Sequence, residues 1–162
     1  MGIAIVGQSL RQAGAIPYRV VDGAVEVLLI TSRDTGRWVI PKGYVEPEET
    51  AAAAAAKEAF EEAGVLGSIS SRLPLGFVPY LKVLKGGKAY PASIEVYPLL
   101  VEAREKDWPE KGQRKVKWFS VAGAAKRVDE PALAALIRRL HELASEPSDA
   151  EIFDVEVVVQ SM

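Results

Sequence analysis

The sequence predicts an α/β fold, a mixed and mainly antiparallel sheet with helices on its faces. Three observations carry this. Strand-like segments outnumber helix-like ones, and the helical segments are spread along the chain. The chain has 162 residues, 49% hydrophobic and 26% charged, which are the values of one globular domain with a real core.

The elements follow in chain order. Ala13 to Val21 and Ala24 to Ser32 are rich in Val, Ile, Leu and Tyr. Asp22-Gly23 between them suits a two-residue type I′ turn, so the pair reads as a β-hairpin. A loop with Asp34, Thr35 and Gly36 follows, then the apolar Trp38-Val39-Ile40, stopped by Pro41. Gly43 to Pro47 is turn-like. Glu48, Glu49 and Thr50 are acidic and capping residues suited to the positive end of a helix. That helix is predicted to run through six alanines to Ala63, with Gly64 as its left-handed C′ residue. Leu75 to Leu84 and Ser93 to Val101 read as strands around a Lys85-Gly86-Gly87-Lys88 turn. Val116 to Val121 is a further strand. Leu133, Leu136, Ile137, Leu140 and Leu143 make a 3.6-residue stripe that predicts a helix over Pro131 to Leu143. Residues 1–10 read as a loose lead-in, 11–145 as the domain, and 146–162 as an extension. In that extension the β-prone Ile152 to Val159 offers an extra strand, or a contact for an oligomer.

Composition excludes several functions. Without cysteine there is no disulfide framework, Cys-ligated zinc or Cys nucleophile. The single histidine, His141, excludes multi-His metal sites and is assigned no role. A net charge of -2, from 20 basic and 22 acidic residues, gives no nucleic-acid signal. No apolar run approaches the roughly 18 residues of a membrane helix, and Gly2 to Gly7 is too short for a signal-peptide core. A cytoplasmic protein is expected. Any metal should be hard and oxygen-ligated, because carboxylates are the ligands on offer.

The informative stretch is Gly43 to Val65, with six glutamates: Glu46, Glu48, Glu49, Glu58, Glu61 and Glu62. Positions 58, 61 and 62 are i, i+3 and i+4, so three carboxylates share one helical face. Like charges at that spacing destabilise a bare helix by about 0.2–0.5 kcal/mol per pair. Near a C-terminus they also oppose the helix dipole. The residues before them are almost uncharged alanine, which suits burial against a sheet better than a solvated face. A hard divalent cation such as Mg²⁺ is the natural neutraliser.

This stretch resembles the Nudix hydrolase box, G-x5-E-x7-R-E-U-x-E-E-x-G-U, where U is bulky and apolar. Gly43, Glu49 and Lys57-Glu58-Ala59-Phe60-Glu61-Glu62-Ala63-Gly64-Val65 match it over 23 residues, with Lys57 in place of arginine and Ala59 in place of a larger aliphatic. Gln12 to Arg19, Val27 to Ile30, Trp38 to Gly43 and Arg114 to Phe119 are similar to the diphosphoinositol polyphosphate and diadenosine polyphosphate phosphohydrolase branch.

The resemblance implies an α/β/α sandwich. It also implies a metal-dependent enzyme that hydrolyses a phosphoanhydride in a nucleoside-diphosphate-linked or polyphosphate substrate. It makes Glu58 and Glu62 ligands of Mg²⁺ or Mn²⁺, and the Gly43 carbonyl a further one. Glu61 is the expected general base, although members of the family differ in which glutamate takes that part. Glu49 would support the loop-to-helix junction. Lys57 keeps the charge of the usual carboxylate-orienting arginine but loses its bidentate fork. Arg11, Arg33 and Arg114 match phosphate-facing positions, and Lys42 and Lys115 are neighbouring cations suited to a polyphosphate. Glu95 is either an extra carboxylate ligand or an ordinary strand residue. Trp38 and Trp118 favour core packing over base stacking, and Lys82, Lys85 and Lys88 read as surface charges. Competing functions are a nucleoside triphosphate or ADP-ribose pyrophosphatase, and a catalytically weak nucleotide-binding module.

Overall fold

A computed structural model describes residues 10–144. The predicted hairpin is present as β1 (Leu10–Val21) and β2 (Ala24–Thr31), with Val21 opposite Ala24. Asp22 and Gly23 have φ of 51° and 80°, the two positive values that a type I′ turn requires. Then come β3 (Trp38–Val39), β4 (Lys42–Tyr44), α1 (Ala51–Ala63), β5 (Val65–Ser68), β6 (Gly76–Val83), β7 (Ala89–Arg104), β8 (Val116–Ser120), α2 (Val121–Arg127) and α3 (Pro131–Ala144). The eight strands form one sheet, in which β3, β2, β1, β7 and β5 are successive neighbours. Among the described residues only β1 and β7 pair parallel; the other pairs are antiparallel. Ile152 to Val159 lies outside the described residues. Among the described residues no helix is long and apolar enough to cross a membrane.

Strand alternation divides the core between the two faces of the sheet. Ile16, Val25, Val27, Leu29, Ile94 and Val96 face α2 and α3, where they meet Leu133, Leu136, Ile137 and Leu140. Ala13, Ala15, Leu28, Ile30, Tyr97 and Leu99 face α1. This is an α/β/α sandwich. Leu28, Leu29 and Ile30 are wholly buried, each worth about 1.5–3 kcal/mol relative to exposure. Leu133, Leu136, Ile137 and Leu140 of the stripe predicted for α3 lie on the face it buries.

The start and stop of α1 follow from side-chain and backbone chemistry. Thr50 Oγ1 accepts from the Ala53 N–H at 3.0 Å, while Gly64 turns left-handed at φ 71°. Ala51, Ala54, Ala55 and Ala59 are buried against the sheet, and their small side chains let the helix axis approach it.

Three short elements differ from expectation. Gly43 and Tyr44, expected in a turn, instead form β4 together with Lys42, and it pairs with β1 through Gln12↔Tyr44, Ala13↔Gly43 and Gly14↔Lys42. Three residues beside Pro41 have no strand periodicity of their own; β1 supplies the pairing. β5 is four residues long and equally silent in sequence. Val121, expected to end a strand, begins α2, because the Ser120 hydroxyl accepts from Gly123 N–H at 3.0 Å and caps a helix there.

Candidate active site

Glu58 and Glu62 continue the buried alanine stripe of α1 by one further turn, so their carboxylates are carried toward the sheet edge at β4. Glu62 is only 7% exposed. One of its oxygens accepts from the Lys42 backbone N–H at 3.3 Å, and the other lies 3.7 Å from an Arg114 guanidinium nitrogen. Glu58 lies directly over Gly43. A Cβ on Gly43 would stand 2.3 Å from the Glu58 carboxyl carbon and 2.5 Å and 2.7 Å from its oxygens. The glycine of the box is therefore required by space: its bare Cα is the seat of the Glu58 carboxylate.

The electrostatics of the pair follow from burial. The Glu62 carboxyl is pushed up to about 8, chiefly by desolvation; neighbouring Glu58 adds to this and Arg114 opposes it. Glu58 is also raised, by burial first and by the Glu61 charge among other causes. Both carboxyl groups are thus raised in one place, so without a cation the pair resists carrying two negative charges. Burial likewise lowers Lys42, against the pull of Glu62.

Glu62 and Lys42 line a cavity of about 570 Å³ on the α3 side of the sheet. Arg33, Arg37, Lys42, Lys82 and Arg114 bring five cations to its lining, together with Gln12, Gly43, Tyr44, Glu62 and Tyr80. Arg33 donates to Gln113 at 2.9 Å and lies 4.0 Å from Glu110. Arg37 pairs with Asp129 at 3.0 Å. Both arginines are about half exposed, so these pairs are weak and an anionic ligand can replace them. Arg114 is held more firmly, by Glu110 at 3.2 Å and by the Thr31 carbonyl at 3.1 Å.

The structure thus brings Gly43, Glu58, Glu62, Lys42, Arg33 and Arg114 together. The remaining candidates are placed outside the cavity lining. Arg11 is engaged by Glu95 at 2.6 Å and does not line the cavity. Lys115 is exposed and contributes its backbone to Thr31. Glu61 is half-buried, its carbonyl accepting from the Glu110 N–H at 3.0 Å. Lys57 Nζ donates to both oxygens of Glu49, at 3.3 and 3.2 Å, and Glu49 Oε1 also accepts from the Glu46 N–H. Glu49 therefore ties the loop to the helix. Hydrogen bonding from the Glu46 backbone and Lys57 keeps its carboxyl below the usual value.

Trp38 packs edge-on against Phe119 at 5.0 Å, and Trp118 lies under the Arg19 guanidinium at 3.9 Å. Lys82, expected at the surface, lines the cavity, with Nζ 5.9 Å from the Tyr44 ring centre. Alternation along β6 carries the signal that finds it, since Val78, Tyr80 and Lys82 share one face. Tyr80 donates to Gln12 beneath them. Glu110 and Trp108 have no periodic context and gave no signal.

Among the described residues no three His, Cys, Asp or Glu side chains are grouped so as to hold an ion by themselves. The donor set nevertheless suits a hard cation: the buried Glu62 and half-buried Glu58 carboxyl groups, beside a backbone stripped of its Cβ.

The NUDIX domain model matches residues 10–140. Nudix hydrolase 17, mitochondrial, of Arabidopsis thaliana is 30% identical over 155 residues, which cover 89% of this chain and 82% of that protein. Human diphosphoinositol polyphosphate phosphohydrolase 3-beta is 35% identical over 129 residues, 76% of this chain and 73% of its own. The crystal structure of the C. elegans Ap4A hydrolase superposes with a TM-score of 0.66 at 23% identity, over 85% of this chain and 100% of that one, a likeness of fold. With its box folded into a carboxylate helix seated on Gly43 and its sandwich shared with these proteins, the chain belongs to the Nudix hydrolase family.

Proposed function

We propose that this Nudix pyrophosphohydrolase cleaves a phosphoanhydride in a long polyanion, a dinucleoside polyphosphate or an inositol pyrophosphate, with Mg²⁺ or Mn²⁺. The observation that carries the reading is the carboxylate pair of α1, Glu58 seated over Gly43 and Glu62 buried, beside a cavity lined by five cations. Glu58, Glu62 and the Gly43 carbonyl would hold the ion. When bound, the ion supplies charge that neutralises phosphate oxygens and lowers the pKa of a bound water. Arg33, Lys42 and Arg114 bind and orient the polyphosphate, and Lys82 extends their reach. Arg11 and Lys115, outside the cavity lining, serve as outer contacts for the far end of a long substrate.

Glu61 stands near enough to Glu58 for its charge to raise that carboxyl, and it takes the proton of the attacking water. Lys57 acts through Glu49, fixing the junction of β4 and α1. The names of relatives that hydrolyse diphosphoinositol polyphosphates and Ap4A support the same substrate class. A cytoplasmic setting completes the proposal; the Arabidopsis relative is named as mitochondrial, and imaging of the tagged chain decides between them.

The test is phosphate release with Mg²⁺ or Mn²⁺ over a panel of dinucleoside polyphosphates, inositol pyrophosphates, nucleoside triphosphates and ADP-ribose. Each well-formed charge-assisted contact is worth about 1.5–3 kcal/mol. The long substrates should therefore show the higher kcat/KM, and Arg114→Ala should penalise them more than the short ones. A preference for ADP-ribose, or an equal loss on every substrate, refutes the long-polyanion reading.

A further inference from the structure

The segment between β7 and β8, residues 105–115, has little regular structure, yet it supplies Arg114 to the cavity and Glu110 to Arg114. Its C-terminal end is tied to Thr31 of β2, and its first half is attached at the C-terminal end of α1. The Glu105 N–H donates to the Gly64 carbonyl at 2.8 Å, and the Glu110 N–H to the Glu61 carbonyl at 3.0 Å. The Arg104 guanidinium reaches the Ala63 carbonyl at 3.3 Å. Three carbonyls left over at a helix end are thereby used, two by the segment itself and one by the last residue of β7 that leads into it.

Between these bonds lies Trp108. Its ring covers the α-carbon of Gly64 so closely that a Cβ there would fall 2.5 Å from Cε3 and 2.6 Å from Cδ2. Arg104 and Lys111 stand over the ring at 5.3 and 5.5 Å. The indole Nε1 is buried without a hydrogen-bond partner. The ring is therefore held by shape and by cations, while its one polar atom contributes nothing.

We infer that Trp108 is a positioning residue for Arg114. By seating on Gly64 it fixes the register at which Glu110 aims Arg114 at the cavity. Through the same contact, the helix that carries Glu58, Glu61 and Glu62 and the segment that carries the phosphate-binding arginine move as one body. The inference rests on the proposed role of Arg114 in holding polyphosphate. It adds a requirement that role does not contain: an aromatic ring, at a position that touches neither substrate nor ion, sets the strength of the Arg114 contact.

The experiment is steady-state kinetics with Mg²⁺ and a dinucleoside polyphosphate on the full chain. The variants are Trp108→Ala, Trp108→Phe, Arg114→Ala and the Trp108→Ala/Arg114→Ala double mutant. Trp108→Ala should lower kcat/KM between about tenfold and a hundredfold, the scale of an ångström of misplacement. The double mutant should be no worse than Arg114→Ala alone, because the ring acts through that arginine. Trp108→Phe should restore kcat/KM to within about twofold of wild type, since Nε1 bonds to nothing. Glu110→Gln provides a second route to the same register if Trp108→Ala does not fold, and its loss should also vanish in the Arg114→Ala background. Additive losses, or a Trp108→Phe protein as impaired as Trp108→Ala, overturn the inference while leaving the substrate reading in place. Full activity on long substrates in Arg114→Ala overturns both.

Discussion

Gly43→Ala isolates one contact. Gly43 has no positive φ among the backbone angles of the chain, so alanine is acceptable to the backbone and only its Cβ matters. That Cβ would lie 2.3 Å from the Glu58 carboxyl carbon, and the carboxylate has to retreat by about 1 Å to reach van der Waals distance. The displaced atoms are the far end of a flexible side chain, so the fold absorbs the change at a cost of about 1 kcal/mol or less, the scale of one off-rotamer torsion. Activity should respond differently. An ångström of misplacement at a reacting centre is worth on the order of 100-fold, and Glu58 moves by that much away from Glu62. The assay pairs thermal unfolding with kcat and a Mg²⁺ titration of activity. A near-wild-type melting temperature with turnover down about 100-fold and a weaker Mg²⁺ dependence is expected. A folded Gly43→Ala protein with full turnover would refute the idea that the Glu58 seat is the reason for glycine. Collapse of the fold would show that this contact is structural instead.

Other outcomes follow from the same geometry. In metal-free protein the folded Glu62 carboxyl keeps its proton up to about 8, whereas an unfolded glutamate releases it near 4.5. The folded state therefore binds more protons across that window, and stability should fall as pH rises through it. Melting curves in chelator at pH 5 and pH 8 test this; Glu62→Gln should flatten the dependence and remove most activity while keeping the fold, and a slope unchanged in Glu62→Gln would assign the titration elsewhere. Lys57→Arg should leave kcat unchanged or higher, since a guanidinium can grip both oxygens of Glu49 in one plane; a large loss would mean that the junction has adapted to lysine. Leu28→Ala, at a fully buried position of β2, should lower unfolding stability by about 2–5 kcal/mol in a denaturant titration.

Local chemistry alone determined a good part of this protein. Asp22-Gly23 reaches φ values that few other pairs tolerate, so the first hairpin was legible from two residues. Thr50 and Gly64 carry their cap geometry in their own side chains, and the spacing of Glu58, Glu61 and Glu62 puts them on one helical face before any tertiary contact exists. Periodicity assigned α3 its buried face in the same way. What the tertiary structure decided is everything that depends on partners distant in sequence. β4 is a strand because β1 offers it an edge, and only that pairing carries Gly43 under Glu58. Glu58 and Glu62 were alike on the helix surface; packing against Lys42, Gly43 and Arg114 buried Glu62, seated Glu58 and raised both carboxyl groups. Lys82 became a cavity residue through its register on β6, and Glu110 and Trp108 entered through a segment with no pattern of its own. Short-range torsional and capping preferences act over a few residues and are written in composition. Charge convergence and desolvation need the closed sheet, and they arise only once strands 30 to 80 residues apart are paired.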